Sequence, residues 1–439
     1  MSSLLLPRYL DHPAPLFYLH SGRFKTEYLS LSAIRPIDRE EVAMTSLLLS
    51  VLRRGTKCYP SLQSINRRLD ALYGVELSIR NFYRGNYQVV GFSLDFLGAR
   101  HLPDRHVPLT EALEVVCQIL FHPLLDEQGL LTASFVEDEK RYQQDVIRSM
   151  KNNPAGYAMD RCQSLFYGDE PCGAPIYGSV EEVEAITPER LTAHWKKLVA
   201  EFVPTCFFIG STDEEELRDA LGKTVWKHLG HLQKKKIADS FTPVEAIERA
   251  SLTEDFPSCQ SHLCVGLSTG ILLGDRDYYA AQVYNELLLG ASPVSRLFLG
   301  LREKQSLCYS CSSSYRSYTG AIFIRCGLSK SCCERAEEEI RRQLSELKKG
   351  HFSASELRAA QQSLVNAFAA IEDSPEAMEG YFFGRSLFGL STSLEESRAG
   401  FLSVTKEDLV RVAKKVLWKT EFFLSETLGE EAIDENQDD

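Results

Sequence analysis

Asp38–Leu49, DREEVAMTSLLL, returns later in the chain as Asp275–Leu289, DRDYYAAQVYNELLL. In each copy an Asp-Arg pair opens a helix that runs through Ala43 or Ala280 into three leucines. Each copy also follows a short apolar strand, Tyr28–Ala33 in one and His262–Ser268 in the other. Working outward, Asn153-Pro154 precedes a helix ending Ser164-Leu165-Phe166-Tyr167-Gly168, and Ser374-Pro375 precedes one ending Ser386-Leu387-Phe388-Gly389. Ile186-Thr187-Pro188 is answered by Val404-Thr405-Lys406, with each Thr placed as a helix N-cap. Apolar strands at Cys206–Ile209 and Phe422–Leu424 close the two series. Self-similarity in one order marks a repeated structural unit. The chain therefore reads as a duplication, residues 1–220 and 255–430, joined by a linker over 221–254 and ending in an acidic tail, 431–439.

Within each half the order is strand, helix, strands, helices, strand. Arg84–Phe96 alternates, as a strand with one solvated face does. Leu109–Phe121 and Phe135–Met150 carry helical periodicity. The fold class is α+β (mixed α/β), two duplicated domains, each a largely antiparallel sheet with helices packed on one side.

A chain of 439 residues exceeds one ordinary core, and 44% hydrophobic with 25% charged residues is a globular composition. A net charge of −12 argues against a nucleic-acid partner, which needs a phosphate-neutralising surface. The longest basic run, Lys234–Lys236, falls in the linker. Leu4–Leu6 is stopped by Pro7, so neither a signal peptide nor a membrane span is expected. The twelve cysteines, scattered with no secretion signal, point to reduced thiols and a cytoplasmic location. Cys308-Tyr-Ser-Cys311 has redox spacing, but lying in a period-two segment rather than at a helix N-terminus it is not expected to do redox chemistry.

Ser292–Tyr315, SPVSRLFLGLREKQSLCYSCSSSY, carries the candidate chemistry. Val294, Leu297, Phe298 and Leu301 predict an amphipathic helix. From Leu307, residues Leu307, Tyr309, Cys311, Ser313 and Tyr315 predict one face of a strand. An Arg and a phenol across such a junction, Arg302 and Tyr309, can converge on one carbonyl oxygen as hydrogen-bond donors. They can equally be a helix C-terminal cation and a half-buried sheet tyrosine.

Several segments, in order, resemble the insulinase-like M16 peptidases, the pitrilysin and mitochondrial processing peptidase superfamily, and in particular its bacterial members of about this length. These are Arg54-Gly55-Thr56, Leu69–Gly74, Glu139-Lys140 leading to Asn152-Asn153-Pro154, Tyr177-Gly178 before Ile186-Thr187, and Ser295–Phe298 through Leu301–Lys304 to Tyr309-Ser310. The resemblance implies two similar domains facing each other across a chamber, with two such units, in one chain or two, forming a clam shell. Active members carry H-x-x-E-H on the first long helix, two His ligands for zinc and a Glu base, with a further Glu downstream as third ligand. Counting from Arg54-Gly55-Thr56 and from Pro154, those positions are Ser46, Leu49, Ser50 and Val146, a degenerate zinc motif. None of the four can serve as ligand or base. His101, His106, His228 and His231 offer no substitute set, and Glu139 reads as a helix-face carboxylate.

The resemblance also implies that Arg302 and Tyr309 hold a substrate carbonyl and stabilise its developing oxyanion. The expectation is thus a zinc-less M16 homologue, the non-metal subunit of a two-chain peptidase. It would carry no cofactor itself, zinc sitting on a partner chain with an intact H-x-x-E-H. The alternative is a homodimeric pseudo-peptidase that binds unfolded peptide or protein as a scaffold, paired with a second copy of itself.

Overall fold

The computed structural model describes residues 6–11, 14–103, 105–229, 241–244, 250–290 and 294–427. Leu4-Leu5, Lys234–Lys236, His231, Ser292-Pro293 and the acidic tail 431–439 lie outside the described residues, as does most of the linker.

The chain divides into two compact units. The first holds six strands: β1 (Arg8–Leu10), β2 (Leu16–His20), β3 (Thr26–Pro36), β4 (Glu76–Arg84), β5 (Tyr87–Leu97) and β6 (Thr205–Gly210). Their order in the sheet is β1-β2-β6-β3-β5-β4. The second holds β7 (Ala250–Phe256), β8 (Ser261–Ser268), β9 (Ser310–Arg316), β10 (Ala321–Leu328) and β11 (Leu417–Glu426), ordered β7-β11-β8-β10-β9. Leaving out β1, the two orders are the same permutation. Pairing is antiparallel except for β2 with β6 and β7 with β11. The register runs Thr26↔Leu97 to Pro36↔Tyr87 in the first sheet and Ala321↔Ser268 to Leu328↔Ser261 in the second.

The repeat extends to ion pairs. Glu41 stands at the N-cap of the helix Val42–Leu52 and meets Lys197 at 2.5 Å; Asp277 stands at the N-cap of the helix Tyr278–Leu289 and meets Lys415 at 2.8 Å and Arg411 at 2.7 Å. A carboxylate here faces the positive end of the helix dipole. The expected Thr187 and Thr405 caps are both made, to the amides of Arg190 and Asp408.

One helix of each sequence half joins the other half's compact unit. The helix Pro154–Tyr167, capped by Asn153, belongs with the second sheet. Its Phe166 meets Phe323 of β10 edge-on at 5.1 Å, and it needs Gly266 of β8, where an added Cβ would come within 2.7 Å of the Phe166 ring. The helix Pro375–Ser386, capped by Ser374, belongs with the first sheet, where Phe382 stacks near Phe207 at 6.4 Å.

That second helix corrects the reading of β5. The strand was expected to have a solvated face, yet its residues are buried on both sides apart from half-buried Asp95 and Leu97. Glu379 of the covering helix reaches this face of the sheet and takes up polar groups of the neighbouring strands β3 and β4. It accepts from Tyr28 (2.5 Å), Ser30 (2.5 Å) and Arg80 (2.6 Å), and is itself 1% exposed. Burial and then the Glu379 charge push the Tyr28 hydroxyl well above its ordinary pKa. The 221–254 segment needs correction as well, since Ala250–Phe256 is a strand. Its side chains are mostly exposed at a sheet edge, so no hydrophobic alternation announced it.

Candidate functional site

The first long helix, Val42–Leu52, is buried at every residue except Met44 and Ser50, as its apolar composition requires. Leu47, Leu48, Val51 and Leu52 join a core with Leu29, Leu31, Phe92 and Leu94 of the sheet. Leu49, at the general-base position, is 1% exposed in that core. Ser46, at a ligand position, donates to the carbonyl of Ile176 at 2.5 Å and accepts from Asn81 Nδ2 at 2.8 Å. Gln88 Nε2 in turn donates to Asn81 Oδ1 at 2.9 Å. Ser50 is half-buried, and Val146, on the helix Ala133–Ser149, is half-buried too. One turn before Val146, Gln143 bonds the carbonyls of Ala43 (3.2 Å) and Tyr177 (2.8 Å). Arg54 binds Glu139 at 3.0 Å and Asp138 at 3.2 Å, so Glu139 is an ion-pair partner on a helix face.

The donor set does not fit zinc. A zinc site takes thiolate, imidazole or carboxylate ligands, and the four positions offer two hydroxyls, one already engaged with amide partners, and two hydrocarbons. Among the described residues no group of three or more His, Cys, Asp or Glu side chains is arranged to hold a metal ion. Asn81, Gln88 and Gln143, which knit this region together, had no sequence signal, because polar residues on a strand or helix read as solvated.

Close to Ser46 lies a further residue that the sequence did not single out. His194 is 4% exposed, its Nε2 2.9 Å from Thr45 Oγ1 and its Nδ1 3.8 Å from Glu41. Burial, chiefly, lowers its pKa to about 4, against the opposing pull of Glu41 and with the help of Arg35 and Lys197. Burial works to raise the Glu41 carboxyl, but Lys197 and Arg35 outweigh it and hold it below the usual range.

In the second unit, the turn that carries Arg302 differs from its prediction in detail. Phe298–Lys304 is a π-helical turn. Leu297 and Leu301 are fully buried, but Val294 is 47% exposed and is not part of the apolar stripe. The strand starts at Ser310, not Leu307, because Ser306 adopts φ +51° and swings the chain out of the helix. That conformation costs a non-glycine residue roughly 1–2 kcal/mol. It is held by Leu307 N donating to Leu301 O at 2.7 Å, and Tyr309 N then donates to Gly327 O at 2.8 Å.

Arg302 is exposed, its guanidinium 5.3 Å from the centroid of the Phe298 ring. Tyr309 is 62% exposed. Neither side chain has a hydrogen-bond partner among the described residues. Cys308, between them in sequence, is buried, and its thiol feels the Arg302 charge.

Comparison with known proteins follows the same line. A family profile described as "Peptidase M16 inactive domain" matches residues 185–364. A curated protein of Bacillus subtilis strain 168, "Probable inactive metalloprotease YmfF", is 26% identical over 93% of this chain and 94% of its own length. A crystal structure of a conserved protein from Enterococcus faecalis V583 superposes with a TM-score of 0.86 at 24% identity, covering 96% of this chain and 98% of the other. The structure of a peptidase M16 inactive domain from Pseudomonas fluorescens gives 0.76 at 18% identity, covering 96% and 99%. With the duplicated fold and a motif helix stripped of ligands, the chain is similar to M16 peptidase chains that carry the description inactive.

Proposed function

We propose that this chain is the non-metal subunit of a two-chain M16 peptidase, contributing Arg302 and Tyr309 to an unfolded peptide bound against a partner that carries intact H-x-x-E-H. The observation that carries this reading is the state of the pair itself. Two strong donors stand exposed, with no hydrogen-bond partner among the described residues, on either side of a turn whose backbone is fixed by a left-handed serine and buried leucines. Strained, over-determined turns are characteristic of functional positions.

In this role the partner's zinc supplies the activated water and the Lewis acid. Arg302 and Tyr309 donate hydrogen bonds to the substrate carbonyl oxygen, which strengthen as negative charge develops on it. Peptide entry by strand addition has sheet edges to use, because β4 and β9 end their sheets. The same pair could serve a scaffold that binds peptide without cleaving it, as a dimer with a second copy. The self-satisfied bonding of Ser46, Asn81 and Gln88 favours a motif helix settled into a purely structural role.

Mixing separates the two readings. The chain is incubated with a fluorogenic peptide alone, then with a co-purified M16 chain bearing H-x-x-E-H. Turnover only in the mixture supports the two-chain peptidase. Peptide binding with no turnover in any mixture supports the scaffold.

A further inference from the structure

In the second unit the helix Lys406–Lys415 and the turn that ends the helix Cys333–Lys348 form a cleft of about 590 Å³. Lys349, Lys406, Arg411, Lys414 and Lys415 line it, against a single carboxylate, Glu407. That balance reverses the chain's own, in which 61 acidic residues outnumber 49 basic ones. Three of the cations are held in place by carboxylates. Asp277 takes Arg411 and Lys415, Asp408 also takes Arg411, and Glu346 takes Lys349 at 3.2 Å. Asp277 is the buried member of its pairs, its side chain 8% exposed against 39% for Arg411 and 49% for Lys415, so the positive heads face solvent. Lys406 and Lys414 form no ion pair among the described residues. Lys406 instead rests on Phe352, its ammonium 5.2 Å from the ring centroid.

Lys414 and Lys415 are accounted for by their place in the last turn of a helix, where the macrodipole favours a cation. Lys406 is not. It is the first residue of the same helix, at the positive end, where a carboxylate is the favoured side chain. Across from it Gly350 turns with φ +74°, and an added Cβ would come within 3.1 Å of Val410 and 3.3 Å of Lys406 Cε. The glycine lets the Lys349 turn lie against the helix without a side chain filling the space between them.

We propose that this cleft binds a linear polyphosphate group. From Lys406 to Lys414 the helix rises about 12 Å, so its two free ammonium groups are spread along a chain of phosphates rather than gathered round one. The cleft has little to offer an acidic peptide. The helix wall has its backbone groups bonded internally, and the turn donates Lys349 N and Gly350 N to Ser345 and Leu347, so a peptide's own backbone would find no partner. Polyphosphate carries acceptors only. Ammonium groups meet its oxygens as point charges, without the forked geometry by which arginine recognises a carboxylate. A chain with net charge −12 repels a polyanion as a whole, so the attraction is local and weakens with salt.

The test titrates the full-length chain with sodium tripolyphosphate in a calorimeter, at low and at physiological salt. The expected result is one tripolyphosphate per chain, bound more weakly at the higher salt. Lys406→Glu and Lys414→Glu should each weaken binding by ten-fold or more, with circular dichroism showing each variant folded. Should Lys406→Glu fail to fold, Lys414→Glu decides alone. Lys223→Glu makes the same change in net charge at an exposed residue of the first unit and should leave binding unaltered. The proposal is overturned if tripolyphosphate does not bind at low salt, or if the folded cleft variants bind as the wild type does. It is equally overturned if Lys223→Glu loses as much affinity as they do, which would make the effect one of overall charge. Hexaglutamate binding as tightly as tripolyphosphate would overturn the choice of ligand class, and inorganic phosphate binding as tightly would overturn the linear form.

Discussion

At His194 the physics of a single side chain can be read as a pH dependence. Its pKa in the fold is about 4 against an ordinary 6.5. The imidazole is therefore neutral in the folded protein, and the unfolded chain binds the extra proton between those values. Its contribution to stability is complete above pH 6.5 and disappears as the pH falls toward 4, roughly 3 kcal/mol at most. Glu41, whose carboxyl is held low, adds a further loss only below its ordinary 4.5. Urea midpoints should fall between pH 7 and pH 5 in the wild-type protein and fall less in His194→Gln, which can still bond Thr45. Identical pH profiles for the two proteins would show that His194 is not buried neutral. Sequence alone could not single out this histidine, because nothing local distinguishes it from the solvated ones.

Among the elements, the helix Pro375–Ser386 makes the strongest claim. Its Glu379 accepts three hydrogen bonds beneath the first sheet, including the ion pair with Arg80, whose side chain is 9% exposed. Removing one partner of such a pair leaves a buried charge unpaired, at a cost of about 3–5 kcal/mol. Glu379→Ala should lower the denaturation midpoint accordingly, and much more than the exposed Glu395→Ala; equal small shifts would contradict a buried Glu379. Local rules made much of the fold legible before the structure: both long-helix repeats, the threonine caps and the edges of Leu109–Phe121 follow from periodicity and capping chemistry. The crossing of the two Pro-led helices was not legible, since Asn153-Pro154 and Ser374-Pro375 signal where a helix starts and nothing about which sheet it covers. The second face of β5 was misread for the same reason, because Ser93 looks solvated until the helix that covers it is known. Around Arg302, the period-two pattern from Leu307 concealed a turn at Ser306, whose positive φ no glycine announced.

For the whole molecule, the two units repeat one strand permutation, but the candidate chemistry is not repeated with it. The first unit's motif helix is given over to packing, and the second keeps the exposed Arg302 and Tyr309. The net charge of −12 spreads over both, and no described helix is long and apolar enough to cross a membrane. Purified alone, the chain should carry no stoichiometric zinc by elemental analysis and cleave no peptide. One zinc per chain with chelator-sensitive hydrolysis would contradict the reading of Ser46, Leu49, Ser50 and Val146. The claim that most of this account depends on is the role of the exposed pair, and the direct measurement is kcat of the mixed assembly with single substitutions in this chain. Arg302→Ala or Tyr309→Phe should lower kcat by roughly ten- to a thousand-fold, as loss of an oxyanion donor does, with assembly unchanged. Turnover equal to wild type in both variants would reduce the pair to surface residues and contradict the account.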